Sequence, residues 1–203
     1  PGFVINEAQA GAGTFDRLGC NPGPECGPGW WTGFDKQFDK ALARVTVRDP
    51  ANPANILYYN ADYLVIGMAN DCLHSDAFGI PQSETQPCTT ADFNALVDRL
   101  IAIGQRALDS GITPIYNLYS ECSDNSDTVE FWGLLWWIDE AACNELRDLH
   151  RTRIATELPD ALLVDVWQGA TGLADGHADH KSSMRAAKRI AKAIKKHRKG
   201  KKK

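Results

Sequence analysis

The sequence predicts an α/β sandwich with a mostly parallel sheet. Three observations carry that expectation. Short apolar runs of strand length alternate with segments whose apolar residues recur at helical spacing. The polar, glycine-bearing stretches follow the apolar runs, at the strand ends where ligands bind in such folds. The 203 residues are 43% hydrophobic and 24% charged, enough chain of ordinary composition for one sizeable core.

The elements follow in order. Phe3-Val4-Ile5 reads as the end of a buried strand, and Ala8 to Thr14 as a loop of small residues. Asp16 to Leu18 is expected to start a short helix. Cys20 to Gly29 is rich in Gly and Pro and reads as loop. Phe34, Phe38, Leu42 and Val45 lie at helical spacing, which predicts an amphipathic helix over 34–45. Tyr63 to Ile66 reads as a buried strand, and Cys72 to Pro87 as loop. Thr89 is the expected N-cap of a helix whose apolar face is Phe93, Leu96, Val97, Leu100, Ile101, Ile103, Ala107 and Leu108, with Gly111 ending it. Ile112 to Leu118 is the next strand. Val129 to Leu158 is a long helical pattern in which Trp132, Trp136 and Trp137 are assigned to core packing. Ala161 to Val166 is a further strand. A final helix is expected over Ser182 to Ile194, with Met184, Ala187, Ile190, Ala191 and Ile194 inward. No internal repeat is evident. The chain is read as one domain over 1–194 and a basic, disordered tail over 195–203.

Charge is distributed unevenly. The net charge is −4, yet Lys188 to Lys203 holds ten Lys/Arg and no Asp/Glu. The rest has 12 basic against 26 acidic residues, a balance of −14. An acidic body argues against nucleic acid gripping the fold, whereas the tail is suited to weak contact with anionic surfaces. No apolar run is long enough to span a membrane. Six cysteines (Cys20, Cys26, Cys72, Cys88, Cys122, Cys143) form no CxxC pair. An even count near loops suits disulfides in an oxidising compartment, so a secreted or extracytoplasmic protein is expected. Sequential pairing, 20–26, 72–88 and 122–143, closes the shortest loops. The chain opens inside an apolar run, without an initiator Met or a signal-peptide pattern. That start is read as following upstream sequence that was removed or not captured.

Three loops carry the polar residues of interest. In Asn6 to Thr14 a glycine can offer its backbone N–H to an oxyanion, although the same composition makes an ordinary turn. In Gly67-Met68-Ala69-Asn70-Asp71 the carboxamide of Asn70 can donate to a developing negative oxygen, and Asp71 can cap the turn or brace Asn70. In Asp175-Gly176-His177-Ala178-Asp179-His180 two acids and two imidazoles lie within six residues. A carboxylate that orients an imidazole is what a general base needs. Metal ligation and simple helix capping by Asp179 are the alternatives there.

In their order these loops resemble the blocks of the SGNH (GDSL-like) family of serine ester hydrolases. Asn6 to Thr14 is similar to its glycine block, with Gly11 as the oxyanion donor. Val65 to Asp71 is similar to its GxND block, with Asn70 as the asparagine. Leu173 to Ile194 is similar to its last block and helix. The resemblance covers Phe3 to Ile194. It implies a three-layer α/β/α sandwich, also flavodoxin-like, with the first strand absent.

Two blocks depart from the family pattern. The glycine stands three residues before Asn70 rather than two, and DGHADH replaces DxxH. Spacing to Ile190-Ala191 favours His180 as base and Asp175 as its acid, with His177 as the competing base. The family's serine block has no counterpart, and its place would precede Pro1. Asp109-Ser110-Gly111 falls at the wrong end of the sheet, and Ser182 and Ser183 are not favoured as nucleophiles.

The resemblance implies ester hydrolysis through a serine acyl-enzyme with no metal or organic cofactor. The expected substrate is a small-molecule ester, a lipid or an acylated sugar, and the expected state a monomer. A non-catalytic carbohydrate- or surface-binding protein is the competing expectation. It rests on the absent serine, on Trp30-Trp31 read as exposed, and on the basic tail.

Overall fold

The computed structural model describes residues 3–8, 12–18, 30–69, 71, 88–119, 140–169 and 178–201, with the backbone alone at 17–18 and 30–31. The fold is α/β. Three parallel strands, β5 (Tyr63–Ile66), β6 (Thr113–Asn117) and β7 (Leu162–Val164), lie side by side in the order β5-β6-β7. Parallel neighbours need long crossovers. The connections include α2 (Thr90–Asp109) and α3 (Glu140–Glu157), and α4 (His180–Gly200) follows β7. Before β5 come α1 (Phe34–Val45) and two antiparallel ribbons, β1 (Arg17–Leu18) with β2 (Trp30–Trp31) and β3 (Thr46–Arg48) with β4 (Ile56–Tyr59).

Side-chain alternation along the strands divides the core in two. Ile66 and Tyr116 join Phe93, Leu96, Leu100, Leu146 and Ile154 in the larger cluster, with α2 and α3. Ile115 and Val164 join Val166 and Ala186 in the smaller one, with Ile190 and Ile194 of α4 packed against it. Ile115 and Tyr116 are adjacent and both fully buried, so the central strand is covered on both faces.

The longest patterns fold as expected. α1 spans the predicted 34–45. At α2, Thr89 accepts from the Asp92 N–H while the Asp92 carboxylate accepts from the Thr89 N–H, which satisfies two otherwise unpaired donors. Gly111, at φ +74°, follows the helix end.

Several expectations are corrected. Phe3 and Val4 are 69% and 92% exposed and belong to no strand, because three apolar residues make a strand only where a ladder partner exists. Asp16 to Leu18 starts no helix. Residues 17–18 pair with 30–31, and the Asp16 carboxylate accepts from the Gly33 N–H (2.7 Å) at the start of α1 and bonds Lys36. Those two bonds, the Gly33 one first, lower the Asp16 pKa. The β3–β4 hairpin was not expected. It is short, and prolines at 50 and 53 interrupt its pattern.

α4 also differs from its expectation. Asp179 caps it by accepting from the Ser182 N–H (2.6 Å), so it begins at His180. That phase buries Ser182 and Ala186 and leaves Met184 and Ala187 exposed. The helix continues to Gly200, through residues expected to be disordered. There Tyr63 Oη meets His197 Nδ1 at 3.1 Å, and Arg198 pairs with Asp62 and lies over the Tyr63 ring.

Cys88 and Cys143 are the cysteines among the described residues, and neither is a free thiol. At least one member of each expected cysteine pair lies outside the described residues. Among the described residues no helix is long and apolar enough to cross a membrane.

Candidate functional site

The structure joins the first two predicted loops at the carboxyl end of the parallel sheet. Asp71, only 5% exposed, is the centre of the junction. Its Oδ2 accepts from the Thr14 N–H at 2.8 Å, and its Oδ1 accepts from the Thr14 hydroxyl and from Arg99 Nη2, the latter at 3.2 Å. Arg99 Nε donates to the Thr14 hydroxyl as well, and the guanidinium lies 5.1 Å from the Phe15 ring centroid. A buried carboxylate is tolerable only when its charge is paired and its lone pairs are used, and both conditions hold here. The close fit requires glycine at 13, where a Cβ would come within 2.9 Å of Asp71 Oδ2. The Gly13 carbonyl accepts from the Phe34 N–H (3.1 Å), which ties the loop to α1.

A second set of bonds fixes the loop after β5 from below. The Tyr119 hydroxyl accepts from the Ala69 N–H (3.0 Å) and donates to the Ala69 carbonyl (2.8 Å). Complete burial raises the Tyr119 pKa, and the Asp71 charge adds to the rise, so the phenol keeps the proton it donates. The Tyr119 carbonyl accepts from buried Arg147 Nε (3.0 Å), whose Nη2 reaches Asp165 Oδ2 at 3.2 Å, just past β7. The other Asp165 oxygen accepts from the Gln168 N–H (3.1 Å). Arg189 of α4 donates to the Val166 carbonyl (2.8 Å). The ends of all three parallel strands are thus held together by side chains.

Gly11, Asn70, Asp175 and His177 lie outside the described residues. The two residues flanking Asn70, Ala69 and Asp71, are both pinned as above. His180 is exposed at the first position of α4. Asp179 caps that helix. Ser182 is buried, and its hydroxyl accepts from Arg185 Nη2 (2.9 Å). The Ser110 hydroxyl donates to the Arg106 carbonyl (2.8 Å) at the end of α2, on the amino side of β6 and away from the loops above. The side chains of Trp30 and Trp31, on which the carbohydrate-binding expectation leaned, lie outside the description.

Sequence reasoning named Asp71 as a brace but missed Thr14, Arg99, Tyr119 and Arg147. The only signal for the two arginines was a cation bordering an apolar helical stripe. Comparison of the chain with family models, with curated proteins and with solved structures returns no match in any of the three.

Proposed function

We propose that the chain carries the greater part of an SGNH-type serine ester hydrolase, with the three-layer α/β/α sandwich and order of blocks of that family. The observation that carries this reading is the way the residues on either side of position 70 are held. Ala69 is held through both its N–H and its carbonyl by Tyr119, and Asp71 through Thr14 and Arg99. A donor that stabilises a transient oxyanion is effective when its orientation is fixed before the reaction, and in this proposal the clasp at Asp71 and the phenol on Ala69 serve that end.

In the proposed reaction a serine from outside residues 1–203 attacks the ester carbonyl. His180, or His177 in its place, takes the serine proton and passes it to the departing alcohol. Water then attacks the acyl-enzyme and gives its proton to the same imidazole, releasing the acid and restoring the serine. Asp175 orients the ring. The Gly11 N–H and the Asn70 carboxamide, with the serine N–H, hold the tetrahedral oxyanion. No cofactor enters.

The test uses the protein with its native N-terminal sequence and short p-nitrophenyl esters. One of His180→Ala and His177→Ala lowers kcat by about a thousandfold or more. Tyr119→Phe, which keeps the ring and removes the bridge to Ala69, lowers kcat about fivefold to tenfold with little change in KM. A fluorophosphonate labels a serine outside this chain. Full activity in both histidine variants, or no serine labelled, overturns the reading.

A further inference from the structure

The opposite end of the sheet carries a different kind of surface. The amino ends of β5 and β6 and the last turns of α4 border an open cleft of about 760 Å³. Tyr63, Thr113 and Ile194 form part of its lining. Four cations, Lys195, Arg198, Lys199 and Lys201, line the same cleft. Its carboxylate, Asp62, is already paired with Arg198. Lys195, Lys199 and Lys201 have no ion pair or hydrogen-bonding side-chain partner among the described residues. This concentration of positive charge stands on a body that is otherwise strongly acidic.

We propose that this cleft binds a ligand bearing several phosphoryl groups. The Arg198 guanidinium, whose planar fork is the natural partner of a single carboxylate, already engages Asp62 through Nη2. What remains is a set of lysine ammonium groups, which act as point charges and suit phosphoryl oxygens. Lys195 and Lys199 are one helical turn apart, about 6 Å along the axis, so one compact polyanion meets both. The volume falls in the range of small-molecule sites. The acidic remainder disfavours anions elsewhere on the surface, which makes the cleft the local minimum for such a ligand. A soluble polyphosphate compound and the phosphates of lipid headgroups share this chemistry.

The experiment titrates the protein with inorganic tripolyphosphate at low salt by calorimetry and, separately, with phosphatidylcholine vesicles with and without phosphatidylglycerol. Two double variants remove equal charge from exposed positions of one helix, where alanine favours the helix. Lys195→Ala/Lys199→Ala alters the cleft, and Lys188→Ala/Lys192→Ala leaves it intact. The expected result is saturable binding of one tripolyphosphate per chain. The cleft pair weakens it about tenfold and the control pair less than about twofold. Binding of tripolyphosphate without vesicle binding supports a soluble ligand. Binding of both, lost together in the cleft pair, supports a headgroup. Absence of tripolyphosphate binding overturns the proposal, with or without vesicle binding. Equal weakening by the two pairs overturns it in favour of diffuse attraction. Ester hydrolysis, assigned to the other end of the sheet, is unchanged in both pairs, so the result stands apart from the catalytic reading.

Discussion

His150 is buried to 1% exposure, neither ring nitrogen has a hydrogen-bond partner among the described residues, and the rings of Tyr116 and Tyr119 meet it in T-shaped contacts at 5.7 and 5.3 Å. Burial pushes its pKa down to about 4, because the imidazolium would lose its water without gaining a partner. In the unfolded chain a histidine titrates near about 6.5. Below that pH the unfolded chain takes up a proton that the folded one refuses. This contribution to stability is therefore constant above neutrality and falls between about pH 6.5 and 4, by on the order of 3 kcal/mol in total. His150→Phe should remove that dependence and, by eliminating two unpaired buried polar atoms, raise stability at pH 7 by about 1 kcal/mol. Urea unfolding midpoints at pH 7 and 4.5 check both points. An unchanged pH slope in the variant would show that other groups cause it.

Among the elements, α2 owes its position to an absence. Gly104 sits mid-helix, where glycine costs about 1 kcal/mol against alanine. A Cβ there would collide with the Tyr116 hydroxyl and come within 2.7 Å of Leu158 Cδ1. The Tyr116 hydroxyl is fixed in turn, donating to the Leu100 carbonyl at 2.7 Å. Gly104→Ala should cost about 2–3 kcal/mol by overpacking, and Tyr116→Phe in the same chain should restore part of it. Thermal melts of the single and double variants measure the effect. The elements themselves differed in how much the sequence disclosed. Those with long one-sided patterns and local signals, such as α1 and the Thr89–Asp92 cap, were legible because their determinants lie within a few residues. Residues 3–5, the β3–β4 ribbon and the phase of α4 were not, since each depends on a partner distant in sequence or on which residue caps. The site divides in the same way. Asp71 was recognisable as a brace, but its partners Thr14 and Arg99 lie 57 and 28 residues away, and Tyr119 is 50 residues from Ala69. No local spacing encodes such meetings.

Over the whole molecule, α4 is the member that links the two ends. Its 21 residues extend about 30 Å, from the Asp179-capped start at His180 to the lysines at the amino end of the sheet. The Arg198–Asp62 pair is exposed on both sides, and such pairs contribute little. The ring of Tyr63, bonded to His197, is the more substantial attachment. Hydrogen exchange should accordingly show protected amides past Ile194 to about residue 198, at moderate and at high salt alike. Tyr63→Ala should shorten the protected span from its C-terminal side. Immediate exchange of residues 195–199 in the native protein would contradict the docked helix.

The Asp71 clasp also bears on how such a chain diverges over time. One carboxylate dictates glycine at 13, a hydroxyl at 14 and a guanidinium at 99. Loss of any one leaves a steric clash or an unmatched interior charge, so the first step of an exchange is disfavoured even where the finished set would be acceptable. These scattered positions are therefore expected to be inherited as a block. A lineage that abandons the ionic clasp must pass through a weakened intermediate or replace its members together.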